Sequence, residues 1–139
     1  MITAATWKRG LQKGILTTWH LARVIVPVYL VVTLLKYTPV MGWIAGLFAP
    51  VMRFFGLPGE ASLVLVLGKL LNIYAALGAI SSLDLTGREI TIIAAILLLS
   101  HSLPVESAVS GRTGVSGLLM TALRLIMGVL AGLTVNLFW

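Results

Sequence analysis

The run Ile90-Thr-Ile-Ile-Ala-Ala-Ile-Leu-Leu-Leu99 is apolar on every face, and this limits the fold more than any other feature. A half-buried strand alternates with a period of two, and an amphipathic helix keeps one polar stripe. This run does neither. Only 10% of the chain is charged, 59% is hydrophobic and the mean hydropathy is +1.07. A soluble domain carries about 25% charged residues. There is too little polar surface here to coat a water-soluble globule, so lipid is the expected solvent. An outer-membrane barrel needs alternating apolar and polar residues. The fold class expected is therefore all-α integral membrane.

A hydrocarbon core of about 30 Å takes about 20 residues per crossing helix. The 139 residues allow about four transmembrane or discontinuous helices with an N-terminal amphipathic helix left over. Residues 1–18 form that lead-in, basic and Trp-bearing, suited to the headgroup region. Residues 19–139 form a single membrane domain. Its crossings are expected over Trp19 to Lys36, Glu60 to Ser81, Arg88 to Gly111 and Val115 to Trp139. Met41 to Phe55 is short and aromatic-rich, with a break expected at Pro50, and reads as an interfacial or re-entrant helix. Lys36-Tyr-Thr-Pro39 is no small-residue cleavage site, so the first helix is expected to stay uncleaved.

The net charge of +6 comes from basic residues standing singly in apolar segments, without stacking aromatics between them. Nucleic acid is therefore not an expected partner. The absence of cysteine excludes disulfides and thiolate metal sites. No motif calls for a cofactor.

Each long apolar segment holds an ionisable residue: Arg23, Lys69, Glu106 with His101, and Arg124. Such a residue costs about 2.5 to 3.5 kcal/mol at a bilayer centre, so it turns to a protein interior or a wet cavity. Arg23 and Arg124 are expected to reach for a headgroup plane. Lys69 and Glu106 lie beside helix-breaking residues and are expected to face a cavity. The opposing reading is a kinked structural helix with Glu106 paired to Lys69, Arg112 or Arg124.

Pro104 has no N–H, and its ring crowds the carbonyl four residues back, so Ser100 is expected to lose its helical partner. At membrane depth such a break is tolerated only inside protein or beside water. Glu106 shares a helix face with Ser102 and Ser110. His101, five residues away, meets Glu106 only if the chain unwinds. Gly68-Lys69-Leu-Leu-Asn72 is a weaker break of the same kind. Leu57-Pro-Gly-Glu60 and Leu103-Pro-Val-Glu106 echo each other, each placing a carboxylate where a half-helix would open. Discontinuous helices of this kind bind ions and solutes in transporters. The candidate solute or ion site is His101, Ser102, Glu106, Ser110, Gly68, Lys69 and Asn72. Gly128 and Gly132 form a small-xxx-small pair expected in helix packing.

With four crossings, Lys8, Arg9, Lys13 and Arg88 fall on one side and Lys36, Arg53 and Arg112 on the other. The N-terminal cluster favours an inside N-terminus. Four against three also permits both orientations, which would give an antiparallel pair from one gene.

Leu47 to Gly68 and Leu99 to Gly114 resemble the nucleoside-recognition Gate domain family, and the likeness covers most of Leu30 to Trp139. That family includes the spore maturation proteins A and B, the gate regions of the ferrous-iron transport protein B, and a repeat of concentrative nucleoside transporters. In the transporter relatives two inverted repeats surround the site. The resemblance implies that this single repeat pairs with itself, as an antiparallel dimer for example, or with a sister Gate subunit in the inner membrane.

An enzyme is not expected, because the two histidines, His20 and His101, belong to no catalytic motif. The remaining readings are a transport component handling an unknown small solute and a non-transporting scaffold or regulatory subunit.

Overall fold

The computed structural model describes residues 4–139, and every regular element among them is helical. The helices are α1 (Ala4–Lys36), α2 (Pro39–Phe54), α3 (Ala61–Leu70), α4 (Ile73–Ile80), α5 (Gly87–Ser100), α6 (Leu103–Arg112) and α7 (Gly117–Phe138).

Long-range polar contacts show which ends meet. Lys36 Nζ lies 2.8 Å from Asp84 Oδ2, which joins the end of α1 to the α4–α5 loop. Arg88, at the start of α5, donates to the Gly56 carbonyl at 3.4 Å and the Asn136 carbonyl at 3.2 Å. Asn136 Nδ2 donates in turn to the Phe54 carbonyl at 3.2 Å. The end of α1, the α2–α3 turn, the α4–α5 loop and the end of α7 therefore gather at one end of the molecule. The start of α1 and the α6–α7 turn point to the other.

It follows that α2 begins and ends at the same end. The α3–α4 pair does too. The stretch Glu60 to Ser81, expected as a crossing, is folded back as a helical hairpin with its tip at Leu71–Asn72. The local cause is Asn72, which is extended (φ −165°, ψ 169°) and accepts the Ala75 amide at 3.0 Å. That side-chain cap starts a new helix instead of prolonging α3. A Cβ on Gly68 would lie 3.1 Å from the Ala76 Cβ, so the two arms press together near the tip. Three helical stretches are long and apolar enough to cross a membrane: α1, α5 with α6, and α7. The expectation was about four.

The lead-in and the first crossing are carried on one continuous helix within the described residues. α1 runs unbroken for 33 residues, about 50 Å, well beyond a hydrocarbon core of about 30 Å. Residues 1–3 of the lead-in lie outside the described residues. The break expected at Pro50 does not occur either, and α2 passes through it. A proline removes one hydrogen bond but keeps a helical φ, and the remaining bonds carry the helix on.

The pair α5–α6 runs antiparallel to α7. A Cβ on Gly132 would lie 2.6 Å from Ile96 Cγ1, and one on Gly128 would lie 2.7 Å from Ser100 Oγ and 3.1 Å from the Ile96 carbonyl. The two small residues thus seat α7 on α5 of the same chain. Ile92, Ile93, Ile96 and Leu97 of α5 form the centre of the core with Val64, Leu65, Ala76 and Ala79 of the hairpin. Thr86 and Glu89 close a capping box that starts α5.

The new topology reassigns the charges. Arg88 joins Lys36 and Arg53 at one end, and Arg112 joins the N-terminal Lys8, Arg9 and Lys13 at the other. Glu60, Asp84 and Glu89 all lie at the first of these ends, so the basic surplus sits at the second.

Candidate paired-break site

The α5–α6 helix breaks at His101–Ser102, two residues before Pro104. Ser102 sits in the left-handed region (φ 49°, ψ 37°), and Pro104 falls in the first turn of α6. A proline there lacks only an N–H that would have no helical partner anyway. The unwinding is thus displaced toward the N-terminus, and Leu98 and Leu99 lose partners along with Ser100.

Two of the freed groups, the Ser102 amide and the Leu99 carbonyl, find new partners. His101 N–H still reaches the Leu97 carbonyl at 2.9 Å. Ser102 N–H, which a continuous helix would aim at Leu98, donates to the Gly68 carbonyl at 3.0 Å. Gly68 lies in the last turn of α3, where the helix stops before residue 72 can return a bond. Arg124 Nε donates to the Leu99 carbonyl at 2.9 Å. The two breaks therefore satisfy each other, opposite the middle of α7, where Ser100 meets Gly128. A Cβ on Gly68 would lie 2.7 Å from Leu97 Cδ2, so only a glycine lets α3 approach α5 this closely.

The unwinding brings His101 and Glu106 together: His101 Nδ1 is 3.5 Å from Glu106 Oε1. The other carboxylate oxygen pairs with Arg124 Nη1. Of the three cations weighed for Glu106, Arg124 is the one in contact. Arg124 does not reach for a headgroup plane. Its side chain is only 18% exposed, held by Glu106 and the Leu99 carbonyl, because both partners stand opposite it in the break.

Other candidate residues are placed differently. Ser110 Oγ donates to the Glu106 backbone carbonyl at 2.9 Å, not to the carboxylate. Asn72 Oδ1 is used by the α4 cap. The Ser102 side chain makes no capping bond. Lys69 is half-buried and has no ion-pair or hydrogen-bond partner among the described residues. Both Leu-Pro-x-Glu phrases stand at the start of a ten-residue helix, α3 and α6. Among the described residues no three His, Asp or Glu side chains gather as a metal site would require.

Two features escaped the sequence reading. The Arg88–Asn136–Gly56 clasp joins residues too far apart to reveal themselves by spacing. Ser107 and Thr121 join α6 to α7 through their hydroxyls. The role of Arg124 had a usable signal: it lies four residues before Gly128, on the same helix face.

The model for Gate, nucleoside recognition, matches residues 18–130. The chain belongs to the Gate family. This Gate chain is 45% identical over 130 residues to the uncharacterized membrane protein YvoD of Bacillus subtilis strain 168, covering 94% of its own length and 42% of YvoD. It is 34% identical over 89 residues to the inner membrane protein YjiG of Escherichia coli K12, covering 60% of its own length and 58% of YjiG. The Gate chain thus spans less than two thirds of either relative. No solved structure matches it significantly. Family, relatives and three apolar crossings together make it a membrane protein.

Proposed function

We propose that the chain is a component of an inner-membrane transport system, a single Gate unit that assembles as a dimer around a solute or ion site at the bilayer midplane. The observation that carries this reading is the Ser102-to-Gly68 bond between two interrupted helices, opposite the middle of α7. Interrupted helices meeting at mid-depth, with ionisable side chains beside them, are how transporters build sites. His101, Ser102, Glu106, Lys69 and Asn72 surround the two breaks in sequence and supply its polar groups. The Bacillus relative is more than twice the length of the segment this chain matches, which leaves room for a second unit of the same size.

The test is flux in proteoliposomes holding the purified chain, with radiolabelled uridine, inorganic phosphate and acetate as probes. Entry of a probe that is lost in folded Glu106→Gln protein supports the reading. Flux that survives Glu106→Gln, Lys69→Ala and His101→Ala removes the site. A strictly monomeric mass in nanodiscs across protein concentration removes the dimer.

A further inference from the structure

We infer that the solute received at the paired breaks is a small oxyanion, a carboxylate or phosphate, with Lys69 as its principal partner. This rests on the proposed site and adds the sign of its ligand.

The argument is one of charge at depth. Lys69 lies nine residues past Glu60 on α3, about 13 Å in from the loop end, near the middle of a hydrocarbon core of about 30 Å. Its side chain spans about 6 Å and cannot return to a headgroup plane from there. It is half-buried and unpartnered among the described residues. An isolated ammonium at that depth calls for a counter-charge.

The chain cannot supply one. It has four acidic residues. Glu60, Asp84 and Glu89 stand at the loop end, where Asp84 is bound to Lys36 and Glu89 caps α5. Glu106 is at the right depth but is held by Arg124, with His101 Nδ1 3.5 Å from its other oxygen. A second copy brings the same inventory in either orientation, since mid-depth maps onto mid-depth. Around the breaks the fixed charges are therefore Lys69 and Arg124 against Glu106 alone. The first turn of α6 opens at the same place and adds partial positive charge. A small oxyanion cancels this surplus, and a neutral solute leaves it standing.

The chain has no cysteine, so a single introduced thiol reports the local field. Ser102→Cys is reacted in nanodiscs with anionic sulfonatoethyl and cationic trimethylammonioethyl methanethiosulfonate. Asn72→Cys reports from the other break should Ser102→Cys misfold. The anionic-to-cationic rate ratio is expected to exceed that of a free thiol by about tenfold, and to collapse when Lys69→Gln is added. Inorganic phosphate and acetate are expected to slow labelling more than uridine does. Labelling by both reagents at or below the free-thiol ratio, or protection by uridine alone, overturns the oxyanion and leaves the water-lined site standing. Failure of both reagents at both breaks in folded protein overturns the site itself, and the oxyanion with it.

Discussion

The Ser102 amide donates to the Gly68 carbonyl at 3.0 Å, so a donor freed by one helix break meets an acceptor freed by the other. Neither break is sustainable alone at membrane depth, because an unpaired backbone group in hydrocarbon costs several kcal/mol. Together they form one unit, and the close approach it needs depends on residue 68.

Gly68→Ala should therefore destabilise the fold against its own helix propensity. In an exposed helix alanine is favoured over glycine by about 1 kcal/mol. Here the added Cβ would stand 2.7 Å from Leu97 Cδ2 and 3.1 Å from the Ala76 Cβ. Overpacking of this kind costs about 1 to 3 kcal/mol and outweighs the propensity. In a Leu97→Val background the obstruction is relieved, and the same substitution should turn neutral or stabilising. Thermal unfolding of the four proteins in one detergent decides it. An equal loss in both backgrounds would mean the crowding is not at Leu97.

Ser102 carries the opposite expectation. It holds a left-handed conformation that costs a non-glycine residue about 1 kcal/mol, and its hydroxyl makes no capping bond. Ser102→Gly relieves that strain, partly offset by a more flexible unfolded chain. The expected outcome is a stabilisation of about 0.5 to 1 kcal/mol, read as a raised melting temperature. A lowered one would show that the serine side chain does work the backbone geometry does not reveal.

How much of this was visible in the sequence depends on the kind of interaction. The interruption near Pro104 was legible because proline acts locally. The approach of His101 to Glu106 followed once unwinding was allowed. The fold-back of Glu60 to Ser81 was not legible, since two apolar half-helices have the composition of one crossing. The weaker break read at Gly68 to Asn72 marked the tip, but nothing in it showed that the chain reverses there. That error placed Arg88 and Arg112 on the wrong sides. The Arg88 to Asn136 contact spans 48 residues and has no local signature at all. The partner of Glu106 stayed open among three cations, because the spacing of Arg124 to Gly128 marks the packed face of α7 but does not name what stands opposite it.

The contact between Lys36 and Asp84 sets a pH expectation. The hydrogen bond from Lys36, with its charge, holds the Asp84 carboxyl below its usual value of 3.8. A depressed carboxyl contributes stability above its unfolded value and loses it as pH falls through its folded value. The Asp84 side chain is 97% exposed, so the contribution is small and screened by salt. Asp84→Asn should melt slightly lower than the parent at neutral pH and low salt. The two curves should merge in strong acid, and also in high salt at neutral pH. A difference that grows on acidification would reverse the sign and refute the assignment.

Glu106 and Arg124 should behave as a coupled pair. Each neutral replacement leaves the other charge in the break: Glu106→Gln strands an arginine only 18% exposed, and Arg124→Gln strands a carboxylate with His101 as its remaining neighbour. Removing one member of a sheltered pair costs more than removing both. Glu106→Gln with Arg124→Gln should therefore be less destabilised than the sum of the single changes, with a coupling of about 1 to 3 kcal/mol. Arg124→Gln also frees the Leu99 carbonyl, so it should be the more harmful single change. Unfolding midpoints of the four proteins at one lipid composition give the coupling directly. Strict additivity would mean the two side chains do not depend on each other, and the polar centre of the break would then have to be redrawn around His101 and Lys69 alone.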